Sequence, residues 1–272
     1  MTISLADAIT LETANRRWTR RKNLAIRIAS ISVLLIGWEI GGLFTPQIFL
    51  VPFHATVIAF YRLCLNGTLL IATLNSLEVL LAGLLLSVVI GVVLGLLMGR
   101  YRRFDWMVSP YVNGLYATPT VALLPVVSLW LGLYVAPKIA IVVLLAVFPI
   151  IKNIHAGVVT LSQELLEPAE SMSAAAVQIS HKVVAPAIIP FLMAGLRLAV
   201  GRGIVGLVVG EFFTAQTGLG GVLVRYASNF QTAEMFVPLI VLVVIGYALT
   251  SAVVILQERS APWKESERDL GV

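Results

Sequence analysis

Charged residues and cysteine are scarce in this sequence of 272 residues. Charged side chains make up only 12% of the residues and hydrophobic ones 59%, whereas charged residues supply about a quarter of a typical soluble domain. This balance excludes a soluble globular domain and indicates an integral membrane protein. Cys64 is the only cysteine, so the chain cannot form an internal disulfide.

The residue patterns of common catalytic and metal sites are also missing. The sequence contains no phosphate-binding glycine loop of the Walker A type, no metal-ligand spacing and no cluster typical of a catalytic triad, and its three histidines lie far apart. We therefore predict no catalytic residue, no metal site and no cofactor bound by this chain. A membrane-embedded enzyme is disfavoured for the same reason.

Apolar runs of about 20 residues recur between short polar breaks, which is typical of membrane-spanning α-helices and not of a barrel. We predict an all-α membrane protein with six transmembrane helices. The predicted spans cover residues 24–44, 69–99, 110–132, 139–151, 183–213 and 235–256. They form one domain, 24–256, between an unstructured polar tail at 1–23 and a second tail at 257–272.

The positions of the basic residues predict the orientation of the spans and explain the pI near 9.6. Because basic residues concentrate in cytoplasmic loops, their positions predict that both termini lie in the cytoplasm. The outward-facing exceptions would be Arg62, Lys138 and Arg225. Clustering at span ends also argues against nucleic acid as a partner. The residues on the predicted cytoplasmic side are Arg16, Arg17, Arg20, Arg21, Lys22, Arg27, Arg100, Arg102, Arg103, Lys152, Lys182, Arg259, Lys264 and Arg268.

Small residues recur at every fourth position of the second span, where Gly83, Ser87, Gly91, Gly95 and Gly99 form one ridge. Such a ridge allows another helix to approach closely. We therefore expect it to be a packing surface.

Pro119 and Pro125 lie inside the third span. Each removes a helix hydrogen bond, so we predict a span broken near its middle. Broken helices in membranes occur where protein or a water-filled cavity surrounds the freed backbone groups, and both prolines are therefore candidates for lining a pathway.

Three segments are predicted to lie outside the membrane. Residues 51–67 repeat apolar residues at helical spacing and predict a short interfacial helix. Residues 133–138 are expected to be a short outer connection. Residues 214–234 are polar and rich in glycine, and we expect an outer loop there.

A polar segment, residues 161–190, is the longest interruption of the apolar sequence, and it carries Glu164, Glu167 and Glu170. These carboxylates would face an inner leaflet that is itself negative, so they suit a protein partner with basic residues better than lipid. We interpret the segment as a cytoplasmic docking loop.

The stretch LLEPAESMSAAAVQISHKVVAPAIIP resembles the EAA loop of bacterial ABC-importer permeases. Pro168 and Ser173 depart from the alanine and glycine of that motif. Pro168 is acceptable in the first turn of a short helix, and Ser173 could cap a second one, 174–184. The matching residues are Glu167, Pro168 and Ala169 at the E-A-A positions, Ser173 at the glycine, and Pro186 and Pro190 at the closing proline pair.

Other long stretches, including NSLEVLLAGLLLSVVIGVVLGLLMGRYRR and MAGLRLAVGRGIVGLVVGEFFTAQTGLGGVL, look like permeases that import nitrate, alkanesulfonates and taurine. The resemblance implies a dimer of six-helix permeases, two cytoplasmic ATPase subunits that bind ATP and Mg²⁺, and a periplasmic or lipid-anchored substrate-binding protein. It also implies a coupling loop at 158–182 between spans four and five. The predicted ATPase-coupling residues are Glu164, Glu167, Pro168, Ala169, Glu170, Ser171, Ser173, Ala174 and Gln178.

Arg197, Arg202 and Glu211 lie within the fifth span and are further pathway candidates, because charges inside a membrane tend to face protein or water. Arg197 and Glu211 project on similar sides of a helix but are roughly 21 Å apart along it. They cannot form a direct pair. A structural role for Arg197 stays open, and Glu211 is expected to order the following loop.

An ion-coupled secondary transporter is the alternative function. Against it, the sequence shows no evident internal repeat and no acidic or histidine relay within the spans. The favoured interpretation is the permease subunit of an ATP-driven importer for a small solute, with an anion such as nitrate, a sulfonate or taurine as its substrate by resemblance.

Overall fold

The computed structural model describes residues 5–161, 171, 176–214 and 217–260, and no β-strand occurs in these ranges. Short turns join its helices, and a 3₁₀ turn, Thr120–Leu123, precedes α5. The helices are α1 Leu5–Phe44, α2 Phe53–Leu65, α3 Thr68–Arg100, α4 Arg102–Ala117, α5 Leu124–Leu131, α6 Val135–Val159, α7 Ala176–Ile179, α8 Ala185–Phe213, α9 Gly218–Ser228 and α10 Thr232–Ser260.

Five stretches of the described chain are long and apolar enough to cross a membrane as single helices. A sixth consists of α4 and the Thr120–Leu131 segment, which meet at an angle of 95°. The prediction that the third span is broken is confirmed. Pro119 lies at the break, and Pro125 lies in the first turn of α5, where its missing N–H breaks no helix hydrogen bond.

The small-residue ridge of α3 packs against α6. A Cβ atom added at Gly91 or Gly95 would lie 2.7 Å from Ile150 or Ile154, so alanine does not fit without movement. Gly83 and Gly99 meet Val142 and Val158 in the same way. The paired numbers rise together, so α3 and α6 are parallel, and the predicted packing role of the ridge is confirmed.

Helix α6 also packs against α8, again through glycine. Gly195 lies against Ile150, Gly206 against the backbone of Ile141, and Gly210 against Lys138. Here the numbers run in opposite directions, so the two helices are antiparallel. As a result α6 has two close neighbours, and more than half of its most apolar part is buried.

Two predicted non-helical segments are helical. The N-terminal tail was expected to lack regular structure, but α1 begins at Leu5, because its alanine, leucine, glutamate and arginine residues favour helix. Residues 135–138 of the expected outer connection form the first turn of α6. Lys138 lies in this turn and is 1% exposed.

The expected outer loop at 214–234 contains α9, so that prediction is wrong for Gly218–Ser228. Gly218 has φ of +86°, a conformation that allows a sharp turn before the helix. The first five residues of α9, Gly218 to Val222, are buried. The predicted helix within 51–67 is confirmed as α2.

The helix predicted at 174–184 is not a separate short helix in its described part. Residues 176–179 continue through a π-helical turn, Ser180–Val184, directly into α8. Pro186 lies in the first turn of α8, and Pro190 lies inside it. The closing prolines therefore lie within a continuous helical segment and do not mark its beginning.

We predict that Gly95→Ala lowers the free energy of unfolding by about 1–3 kcal/mol, because the new methyl group overpacks the contact with Ile154. Gly114→Ala is the matched control, since nothing lies within 4 Å of its added Cβ atom. The control should be neutral or slightly stabilising. Thermal unfolding in detergent, followed by circular dichroism, compares the two variants, and equal midpoints would contradict the packing account.

Candidate translocation pathway

Helix α4 presents different chemistry on two adjacent faces. Phe104, Val108 and Val112 recur at every fourth residue and pack into an apolar cluster with α3 and α6. Four polar residues lie on the next face, at spacings of four, four and three residues, and occupy an arc of about 80° around the helix: Asp105, Ser109, Asn113 and Tyr116. We call these four residues the polar stripe.

The polar stripe faces side chains of α6. Asp105 Oδ1 lies 3.3 Å from His155 Nε2. The Lys152 ammonium donates a hydrogen bond to Asn113 Oδ1. The residue numbers of the contacts fall along α6 as they rise along α4, because the two helices are antiparallel.

Two further contacts extend the stripe towards the break. Asn113 Nδ2 donates to Ser109 Oγ at 3.2 Å. Arg202 Nη2, from α8, donates to the Tyr116 hydroxyl at 3.1 Å, and its guanidinium carbon lies 4.7 Å from the centre of the Tyr116 ring. The Tyr116 ring in turn makes an edge contact with Phe148 of α6. The structure thus places the candidate Arg202 against α4, one helical turn from the break at Pro119.

Arg197 lies in a different environment. It is exposed, and its Nη2 atom donates to Gln257 Oε1 of α10 at 2.8 Å. Five residues separate it from Arg202, which turns the two side chains about 140° apart on α8. The two arginines are therefore not brought together.

Glu211 is buried in a hydrogen-bond network at the other end of α8. Its Oε1 atom accepts from Ser76 Oγ at 2.7 Å, and its Oε2 atom accepts from the backbone N–H of Gly220 at 2.6 Å. Ser76 Oγ also accepts from the N–H of Leu219 at 2.8 Å. The carboxylate thus holds the first turn of α9 against α3 and α8, which agrees with the expected role in ordering the following loop.

Lys138 completes this buried group; the sequence analysis assigned it to the outer side of the membrane but did not predict its contacts. Its Nζ atom donates to Thr217 Oγ1 at 2.6 Å and lies 3.3 Å from Thr217 O. Lys138 and Glu211 also interact electrostatically. Gly218 is required beside them, because a Cβ atom there would lie 1.9 Å from Glu211 Oε1. We call Ser76, Lys138, Glu211, Thr217 and Gly218 the buried charge cluster.

Most of the predicted coupling residues lie outside the described residues. Ser171 and Gln178 are described, and both are exposed. Gln178 belongs to α7, immediately before the π-helical turn. The others, which the structure does not describe, are Glu164, Glu167, Pro168, Ala169, Glu170, Ser173 and Ala174.

Sequence reasoning missed Asn113, Tyr116 and Lys152 as a group. The spacing of the polar stripe is visible in the sequence, but the prediction for this span rested on its two prolines. Lys152 was counted only as a cytoplasmic-end charge. Its proximity to α4 depends on how α6 packs, which local sequence does not reveal.

The comparison with family models decides the classification. Residues 87–266 match the family described as binding-protein-dependent transport system inner membrane component. The chain belongs to this family. Since the matched region includes the polar stripe and all of the predicted coupling segment, both features lie in the part of the chain that defines the family.

Curated relatives cover nearly the whole of this permease. It is 30% identical over 236 residues to the formylaminopyrimidine transport permease of Halalkalibacterium halodurans, covering 86% of this chain and 94% of that protein. It is 28% identical to the putative aliphatic sulfonates transport permease of Bacillus subtilis, covering 96% and 94%. It is also 26% identical to the taurine transport system permease of Escherichia coli, covering 91% and 92%.

A solved structure shares the fold. The methionine ABC transporter in an inward-facing conformation matches with a TM-score of 0.62 and 20% identity, over 71% of this chain and 95% of that one. The chain is therefore a multi-pass permease subunit of an ABC importer, with the fold expected from its sequence.

We predict that Ser76→Ala lowers the free energy of unfolding by about 1–3 kcal/mol, because it leaves a buried carboxylate and a buried N–H each short of a partner. Ser87→Ala is the matched control. Ser87 is equally buried on the same helix, but its hydroxyl bonds only to the carbonyl of Gly83 in its own helix. That change should cost below about 0.5 kcal/mol.

Thermal unfolding in detergent measures both serine variants. Indistinguishable midpoints for the two would contradict the view that Ser76 joins α3 to α9 through the buried charge cluster. Ser76 and Ser87 are the same residue type, are equally buried and lie on the same helix. A difference between the midpoints of the two variants therefore reports the contacts that Ser76 makes with other helices.

Proposed function

We propose that the polar stripe of α4 lines the solute passage of an ATP-driven importer. Polar side chains within membrane-spanning helices face protein or water and avoid hydrocarbon. Asn113, Tyr116 and Arg202 are exposed on the surface of a single chain although they lie on such helices. This exposed polar face is the observation that carries the proposal.

Two copies of the chain form the passage in this proposal. The polar stripe lies open on one chain, so a second surface is needed to separate it from lipid. A second permease copy placed with twofold symmetry would bring an identical stripe to the opposite wall. The homodimer also agrees with the sequence resemblance, which implies paired permeases.

The passage is oriented with both termini in the cytoplasm. The excess of basic residues at the ends of α3 and α10 supports this direction. A binding protein outside the membrane, either periplasmic or lipid-anchored, would deliver the solute, as the family description implies for its members. The outer surface it approaches would include α2 and α9.

Two ATPase subunits on the cytoplasmic side supply the energy. They bind ATP and Mg²⁺ and hydrolyse ATP, while this chain has no enzymatic activity. The carboxylates Glu164, Glu167 and Glu170 would seat in a basic groove of the ATPase. Movement of this segment reaches α8 directly, because α7 and the π-helical turn continue into that helix.

The proposed substrate is a small anion. Relatives named for aliphatic sulfonates and taurine support that class, although another relative is named for formylaminopyrimidine. The charges of the permease support it independently. Arg202 and Lys152 contact the polar stripe, whereas its one carboxylate, Asp105, is paired with His155.

The amount of ATPase that co-purifies with the permease tests the proposal. Replacing Glu164, Glu167 and Glu170 together by glutamine should reduce the co-purified ATPase at least tenfold, because the docking carboxylates are lost. Glu258→Gln is the control, since it removes an exposed carboxylate from the same predicted side of the membrane. It should leave the ATPase yield unchanged.

Uptake into proteoliposomes completes this test, with radiolabelled taurine and methanesulfonate as probes in the presence of the cognate binding protein. Uptake should require ATP in the compartment that the ATPase subunits face, either inside or outside the vesicle. Uptake driven by an ion gradient through the isolated permease would contradict the importer and favour a secondary transporter. An unchanged ATPase yield in the triple variant would contradict the docking role of the three carboxylates.

A further inference from the structure

Two cations from different helices converge on one turn of α4. The Lys152 ammonium contacts the Asn113 carboxamide, and the Arg202 guanidinium contacts the Tyr116 hydroxyl. Asn113 and Tyr116 are three residues apart, or about 4.5 Å along the helix axis. Lys152 comes from α6 and Arg202 from α8, so these two contacts place both positive charges beside the same turn of the polar stripe.

No carboxylate neutralises this pair of cations within the described residues. The partners of Lys152 and Arg202 there are the neutral side chains of Asn113 and Tyr116. Asp105 lies two turns from Asn113 on α4, and its Oδ1 atom lies 3.3 Å from His155 Nε2. Like charges repel more strongly where water is limited, so this arrangement is stabilised when an anion lies between the cations.

The donors present at this level suit an oxyanion. Lysine provides three N–H donors, and arginine provides a planar set of five that matches two oxygens of one group. Each cation uses one donor on α4 in the contacts described, which leaves others for a ligand. A sulfonate, nitrate or carboxylate has several acceptor oxygens and can bridge the two.

The depth of Arg202 argues against a lipid headgroup as the ligand. Arg202 is 11 residues from Phe213 and 20 from Lys182, which places it about 16 Å and 30 Å from the two ends of its span. A hydrocarbon core is about 30 Å thick, and headgroups lie outside it. A soluble anion within a water-filled passage can reach this level.

We propose that Lys152, Asn113, Tyr116 and Arg202 form an intramembrane binding site for a small oxyanion on its way through the permease. The proposal rests on the proposed function, because it needs the polar stripe to face the passage. It adds the place where the charge of the substrate is compensated. Arg202 and Lys152 are the binding cations, and Asn113 and Tyr116 hold them at one level.

The test measures the local electrostatic field without requiring the natural substrate. A single cysteine is introduced as Ser109→Cys in a Cys64→Ser background, since Ser109 Oγ contacts the Asn113 carboxamide. The complete permease, reconstituted in vesicles of zwitterionic lipid, is treated with a sulfonate-bearing or a trimethylammonium-bearing methanethiosulfonate reagent of similar size. Relative to the rates of both reagents with a free thiol in solution, the sulfonate reagent should react about tenfold faster, because it is attracted to both cations.

Charge variants assign this preference to the proposed site. Lys152→Gln and Arg202→Gln, made singly, should each reduce the ratio of the two rates severalfold, whereas Lys152→Arg and Arg202→Lys should retain it. Arg225→Gln removes an exposed cation from α9 and should leave the ratio unchanged. Tyr111→Cys, on the opposite side of α4 and also exposed, should show no preference for the sulfonate reagent.

Protection by a free anion distinguishes a binding site from a general field. Methanesulfonate should slow the reaction of Ser109→Cys more than chloride at equal ionic strength, and Arg202→Gln should remove this difference. Equal protection by both anions would overturn the site. A normalised preference for the cationic reagent, reaction with neither reagent, or a ratio insensitive to both cations would overturn it as well.

The outcomes separate this proposal from the importer function. A permease that imports with ATP but lacks the charge preference at Ser109→Cys would refute the anion site and leave the importer intact. A permease with the preference and the protection, but without any ATP-dependent uptake, would retain the anion site and refute the importer. The cysteine measurement does not depend on the ATPase.

Discussion

Close packing on both sides of α6 is the constraint on which the rest of the structure depends. Helices in lipid gain little from hiding apolar surface, because the lipid chains are equally apolar, so they associate through tight van der Waals contact. The glycines of α3 and α8 permit that contact at Ile150. Once α6 is fixed between them, Lys138 reaches the first turn of α9 at one end and Lys152 reaches α4 near the other.

Charges in this permease are accommodated in two different ways. In the buried charge cluster, Glu211 and Lys138 are each 1% exposed and are surrounded by hydrogen-bonding groups. Removing one partner from such a cluster leaves an uncompensated charge, which is costly. Arg202 is instead exposed beside the polar stripe, where water or a ligand can compensate its charge. The first arrangement stabilises the junction of four helices, α3, α6, α8 and α9, and the second suits solute passage.

Local sequence was sufficient to predict features that depend on the residues of a single helix. The ridge from Gly83 to Gly99 and the break at Pro119 follow from residue size and from a missing N–H, so both were predictable. The contacts of Lys138 were not predicted, because local sequence does not reveal that Thr217 lies beside it. The spacing of the polar stripe is visible in the sequence, but its contacts with Lys152 and Arg202 depend on how α6 and α8 pack. The coupling role of the segment around Glu167 stays a prediction from resemblance and charge.

The most direct measurement of the central claim is the water accessibility of single cysteines placed at each residue from 104 to 117 in the reconstituted permease. The account predicts that reaction with an uncharged, water-soluble maleimide peaks at Asp105, Ser109, Asn113 and Tyr116, with spacings of four, four and three residues. Uniform rates along α4, or a maximum on the opposite side at Met107 and Tyr111, would contradict a passage lined by the polar stripe.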